Sequence, residues 1–122
     1  MPTVLVADDN PGLRELCRAE LETAGIDVLE AGDGYTALDL ARREHPDAAL
    51  LDVVMPGLDG MRVAEILARE QPELRIAFIS GRSAFGDQLE GLGRGATDYI
   101  TKPFDPDELV ERVRTLLAGR SV

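Results

Sequence analysis

Asp8 and Asp9 follow the apolar run Thr3-Val4-Leu5-Val6-Ala7, and Asp52 closes a second run, Ala48-Ala49-Leu50-Leu51. Short apolar runs bounded by turn residues read as buried strands. An acidic residue at the end of such a strand lies at its carboxyl edge, where an open α/β sheet binds its ligands. Two strands thus bring three carboxylates to one spot. Like charges held close repel, so protons or a cation must neutralise the cluster. A hard divalent cation such as Mg²⁺ suits it, because that ion takes oxygen ligands and is commonly shared between carboxylates, phosphate and water. These residues together describe a metal-assisted phosphoryl site.

The elements that must position these aspartates alternate along the chain. Strands are predicted at Thr3–Ala7, Ile26–Ala31, Asp47–Asp52, Arg75–Ser80 and Thr97–Thr101. Helices are predicted between them: Pro11–Ala24 with Gly25 as its stop, a segment capped by Asp33 and running to Glu44, Met61–Glu70, and a weaker one over about Ala84–Gly93. Asp105 caps a last helix with Pro106 in its first turn, and Asp107 and Glu108 complement its dipole. Val53–Gly60 reads as a loop, because Pro56 and Gly57 interrupt regular structure. Strict alternation implies a parallel sheet covered on both faces, and right-handed crossovers make it doubly wound.

Composition bounds what this sheet can serve. The chain has 122 residues, one domain's worth, with 44% hydrophobic and 30% charged residues. A net charge of −10 argues against a nucleic-acid or anionic-membrane surface. The single cysteine, Cys17, falls in the Leu13, Leu16, Cys17, Leu21 stripe and reads as a small buried apolar residue. One cysteine fits a reducing compartment, and no run approaches the ~20 apolar residues of a membrane span. No signal peptide precedes the first strand, so a cytoplasmic location is expected. Residues 1–122 read as a single domain, with a tail from Gly119 too short for an output domain.

Four pieces, each at a predicted strand end, then carry a resemblance. They are Val4-Leu5-Val6-Ala7-Asp8-Asp9-Asn10, Leu51-Asp52-Val53-Val54-Met55-Pro56-Gly57-Leu58-Asp59-Gly60, Ile79-Ser80-Gly81, and Asp98-Tyr99-Ile100-Thr101-Lys102-Pro103-Phe104. In this order they resemble the receiver domain of two-component response regulators, over Val4 to about Leu117. The resemblance implies a flavodoxin-like sheet in the order 2-1-3-4-5 and a phosphorylation-activated switch rather than a free-standing enzyme.

It also implies roles. Asp52 matches the phospho-accepting aspartate, a carboxylate nucleophile that becomes an acyl phosphate. Asp9 matches the direct metal ligand, Asp8 the one acting through water, and the Val54 backbone carbonyl the third protein ligand for Mg²⁺ (or Mn²⁺). Lys102 matches the lysine that reaches the phosphoryl group, with a cis bond expected before Pro103. Ser80 matches the hydroxyl switch residue, and the Gly81 backbone N–H can approach the phosphoryl oxygens. Tyr99 matches the aromatic that turns inward when Ser80 is drawn toward phosphate. The donor would be a histidine kinase or phosphotransfer protein, and the output a downstream protein or an attached domain.

Some positions depart from the pattern. Val54 and Arg82 flank the site; Val54 cannot orient a water, and Arg82 could partly cover it. The helix over about Ala84–Gly93 is glycine-rich. Asp98 and Arg112 keep only part of the charge pattern that pairs two receivers, so at most a weak dimer is expected. Two other readings compete. A small aspartate-dependent phosphohydrolase would carry an aspartate where Val54 stands. A phosphorylation-independent scaffold would have an eroded site, whereas Asp8, Asp9, Asp52, Ser80 and Lys102 are all present.

Overall fold

The structure, a computed structural model, describes residues 1–81 and 98–119. Within them the strands are β1 (Thr3–Ala7), β2 (Asp27–Ala31), β3 (Ala48–Asp52), β4 (Arg75–Ser80) and β5 (Asp98–Thr101). The helices are α1 (Pro11–Thr23), α2 (Gly34–Glu44), α3 (Gly60–Glu70) and a C-terminal helix (Pro106–Leu117). The five strands form one parallel sheet in the order β2-β1-β3-β4-β5, as expected. The helix expected over about Ala84–Gly93 lies outside the described residues, as does Arg82.

Continuous apolar strands arise because both faces of the sheet are covered. Leu5, Ala7, Leu51 and Phe78 point to one side, against Ala37 and Ala41 of α2 and Val63 and Leu67 of α3. Their neighbours Val4, Val6, Leu50 and Ile79 point to the other, against Cys17 and Leu21 of α1 and Leu109, Val113 and Leu116 of the C-terminal helix. The period of two thus survives inside strands that contain no polar alternation.

Element ends differ from expectation by about one residue, for local reasons. Ile26 does not start β2, because its N–H still donates to Leu21 O at 2.9 Å and closes the end of α1. Asp47 stands outside β3: its N–H donates to Thr3 O at 2.8 Å, and its carboxylate accepts from the Thr3 N–H at 2.8 Å. Gly60 opens α3 rather than closing the loop before it, with Asp59 as its cap, accepting from the Arg62 N–H at 2.8 Å. A side chain at Gly60 would collide with the Asp52 carbonyl, so only glycine lets α3 begin so close to the end of β3.

The topology fixes where a ligand can sit. From β1 the chain passes to β2 on one side, and β3 returns to pair with β1 on the other. The carboxyl ends of β1 and β3 therefore flank the crevice at which the winding reverses. Asp8 and Asp52 lie at these two ends.

Candidate functional site

Asp8 follows β1 and is completely buried. Its N–H donates to Ala31 O at 3.0 Å, extending the β1–β2 ladder by one bond, and its Oδ1 accepts from the Asn10 N–H at 2.9 Å. Asn10 is the residue that caps α1, accepting from the N–H groups of Gly12 and Leu13 at 2.9 and 3.2 Å. Capping by Asn10 leaves the carboxylates of Asp8 and Asp9 available for other work. Asp9 is exposed. Asp52, at the end of β3, is 5% exposed, and its Oδ1 accepts from the Val54 N–H at 3.2 Å. One carboxylate oxygen from each of Asp8, Asp9 and Asp52 lies within 4.8 Å of the others.

Lys102 enters this cluster from the far side of the sheet. Its N–H donates to Ser80 O at 2.8 Å, which carries the β4–β5 pairing one residue past β5. Its ammonium donates to Asp52 Oδ2 at 3.2 Å and sits 2.6 Å from Asp8 Oδ2. The Asp8 contact is the shorter of the two. The Lys102–Pro103 bond is cis, as expected.

The electrostatics follow from this geometry. Burial, and then the negative charge of Asp8, push the Asp52 carboxyl above its ordinary range, against the opposing pull of the Val54 N–H and the Lys102 ammonium. Burial alone would lower the Lys102 ammonium. The hydrogen-bonding and charge contributions of Asp8 and Asp52 outweigh it and hold that group above its usual value. One ammonium among three carboxylates still leaves the spot net negative. Three clustered carboxylates with oxygen donors fit a hard divalent cation, so the donor set is compatible with Mg²⁺.

A family profile described as the response regulator receiver domain matches residues 4–114. The chain belongs to the response regulator receiver family. Among curated proteins, this receiver domain is 42% identical over 120 residues to the probable transcriptional regulatory protein TcrX of Mycobacterium tuberculosis, covering 98% of this chain and 51% of that protein. It is 38% identical to the DNA-binding dual master transcriptional regulator RpaA of Synechocystis, covering 96% of this chain and 49% of that protein. The chain therefore spans about half the length of these curated relatives. Among solved structures, the Francisella response regulator 1452 receiver domain aligns with a TM-score of 0.91 at 36% identity, covering 98% of each chain. Membership implies phosphorylation-dependent signalling.

The residues singled out from the sequence occupy distinct places in the receiver domain. Asp8, Asp9, Asp52 and Lys102 come together. Ser80 is 1% exposed at the end of β4, and Gly81 beside it is exposed, with none of the described residues within 4 Å of where a Cβ would stand. The Val54 side chain is 51% exposed and offers no acid or base. Tyr99 is 5% exposed and already packed in the core half that contains Phe78. Asp98 and Arg112, read as part of a pattern between receivers, pair with each other within the chain at 2.7 Å. His45 lies elsewhere, at the end of α2, beside a cavity of about 520 Å³ also lined by Asp47, Glu70 and Glu73. Among the described residues no helix is long and apolar enough to cross a membrane.

The sequence reading missed two features. It assigned Lys102 no partner among the carboxylates, and here the ammonium pairs with both Asp8 and Asp52. It also assigned nothing to Arg14, whose guanidinium donates to the Asp8 carbonyl at 2.7 Å. A cation on a helix otherwise read as amphipathic carries no signal that its partner is a backbone carbonyl.

Proposed function

We propose that residues 1–122 act as one receiver unit whose Asp52 accepts a phosphoryl group from a phosphohistidine of a kinase or phosphotransfer protein. The observation that carries this reading is the buried Asp52 carboxylate at a strand end, 3.2 Å from the Lys102 ammonium and clustered with Asp8 and Asp9. An oxygen of Asp52 attacks phosphorus, the P–N bond to the donor imidazole breaks, and the imidazole leaves with its electron pair and takes up a proton. The Val54 N–H holds one carboxylate oxygen and Lys102 the other, so the nucleophile's plane is set before the donor arrives. Asp9, Asp8, Asp52 and the Val54 carbonyl are the groups that would hold the metal. Bound Mg²⁺, or Mn²⁺, would offset charge between these carboxylates and the phosphoryl oxygens.

After transfer, Lys102 has two claims on it, the old carboxylate contacts and the new phosphoryl oxygens. The Ser80 hydroxyl and the Gly81 N–H stand at the adjacent strand end to donate to the remaining oxygens. Tyr99 is packed inward, so the readout rests on its being held there once Ser80 is engaged. The consequence is a changed affinity for a downstream protein or an attached output domain. The charge of −10 disfavours direct polyanion contact by this unit, and a cell-interior location fits a histidine-kinase partner.

The test is phosphorylation by acetyl phosphate, or capture of beryllofluoride, with and without Mg²⁺. Intact mass and fluorine NMR provide the readouts. One phosphoryl group per chain, dependent on Mg²⁺ and absent in Asp52→Asn, is expected. Equal labelling of Asp52→Asn would refute the assignment.

A further inference from the structure

Asp8 is gripped at every polar atom. Its N–H goes to Ala31 O, its Oδ1 accepts from Asn10 N–H, its Oδ2 pairs with Lys102, and its carbonyl accepts from Arg14 Nη1 at 2.7 Å. The last bond bears on Asp9 rather than on Asp8. The Asp8 carbonyl belongs to the peptide that joins the two aspartates, and a peptide is planar. Whatever fixes that carbonyl therefore fixes the direction in which the chain launches Asp9. The Asp9 side chain, by contrast, is exposed and cannot be fixed by packing.

Arg14 is built to hold this peptide. It lies one turn into α1, is 20% exposed, and its Nε donates to Glu30 Oε1 at 3.1 Å. Glu30 lies on β2, so the planar guanidinium spans from the end of β1 to the neighbouring strand, and its fork is oriented from two directions at once. Gly32, just past β2, leaves room for it: a Cβ there would stand 3.2 Å from Nη1.

We infer that Arg14 is a positioning residue for the metal-binding pair, acting by locking the Asp8–Asp9 peptide so that the Asp9 carboxylate faces the cluster. The inference rests on the proposed metal role of Asp9. It makes a prediction opposite in sign to simple charge. Arg14 is a cation near a site for a divalent cation, so by Coulomb's law its removal should tighten metal binding. If its work is orientation, removal should weaken binding despite that gain.

The experiment measures Mg²⁺ affinity of the whole chain directly, by NMR titration of backbone amides, without phosphorylation. The proteins are the parent, Arg14→Met, Arg14→Lys and Asp9→Asn. Arg14→Met should raise the Kd by ~10-fold or more, the loss typical when a group that orients a metal ligand is removed. Arg14→Lys keeps the charge, but one ammonium cannot reproduce the fork to both the Asp8 carbonyl and Glu30, so it too should bind more weakly. Arg14→Lys also serves as the readout should Arg14→Met fail to fold, which thermal unfolding in EDTA reports. Unchanged or tighter Mg²⁺ binding in the folded variants overturns the inference. Parent-like binding by Asp9→Asn overturns the metal role of Asp9 itself and the Arg14 assignment with it, a failure distinguishable because it does not involve Arg14.

Discussion

Removing Lys102 tests whether the chain supplies its own counter-charge to the aspartate cluster. In Lys102→Met the long apolar stem is kept and only the ammonium is lost. That ammonium stands 2.6 Å from Asp8 and 3.2 Å from Asp52. At an effective dielectric of ~20 these contacts are worth about 6 and about 5 kcal/mol in gross attraction. Most of that is offset by desolvation of the three groups. What remains is the cost of stripping the partner from a buried carboxylate, ~3–5 kcal/mol when the pair is fully buried. Lys102 is 24% exposed, so the lower end applies, about 3 kcal/mol. For a domain of this size ~4 °C of Tm corresponds to each kcal/mol, so metal-free Lys102→Met should melt roughly 10 °C below the parent. Mg²⁺ should then raise the Tm of the variant more than that of the parent, because the ion no longer competes with an attached cation for the same carboxylates. Circular dichroism melts in EDTA and in Mg²⁺ give all four values. A variant as stable as the parent in EDTA, with the same response to Mg²⁺, would refute the idea that Lys102 neutralises the cluster.

Gly60→Ala should cost about 3 kcal/mol, as overpacking does, because the new Cβ meets the Asp52 carbonyl rather than a yielding side chain. Urea unfolding reads the cost, and parent-like stability together with parent-like labelling at Asp52 would mean that this turn has slack. Arg112→Met should cost ~3 kcal/mol, since among the described residues it leaves Asp98, 6% exposed, with the bond to the Tyr99 N–H alone. Asp98→Asn in the same background should recover part of that loss by removing the unpaired charge, and failure to recover any would count against the pairing. Burial, with a contribution from the charge of Asp8, raises the Cys17 thiol from 9.0 to about 12. The folded state keeps a proton that the unfolded chain gives up above pH 9.0, so this part of the stability is intact below pH 9.0 and is lost as pH rises toward 12. The parent should therefore lose ~1.4 kcal/mol more than Cys17→Ala between pH 8 and about pH 10 by urea unfolding. Equal losses would contradict a buried, protonated thiol.

The fold was legible in the sequence because its signals are local and redundant. Val4, Leu5 and Val6, or Ala49, Leu50 and Leu51, have nowhere to go but a strand buried on both faces, and Asp33 and Asp105 announce the helices they cap. Strand limits were less legible, because Ile26 and Asp47 are decided by bonds to Leu21 and Thr3 that no local pattern encodes. The convergence of Asp8 and Asp52 was legible because parallel winding brings the carboxyl ends of β1 and β3 together whatever the side chains are. What each residue touches was not. Asp98 and Arg112 read as part of an incomplete charge pattern between receivers, and nothing local showed that β5 and the C-terminal helix bring them to 2.7 Å within one chain.

The aspartate cluster shows how far a physical argument from sequence reaches and where it stops. Repulsion among three carboxylates demands a neutralising charge, and that demand follows from residue types alone. It does not say whether the charge comes from solution or from the chain. The structure supplies it from the chain: Lys102 follows β5, and its side chain reaches back past β4 to the ends of β3 and β1. A tethered ammonium is present at any magnesium concentration, so part of the neutralising charge does not depend on the metal. It is also one charge against three, so a divalent cation and a phosphoryl group still have unmet charge to bind. A site that carries part of its own counter-charge and still attracts its ligands is suited to loading and unloading, as the proposed signalling role requires.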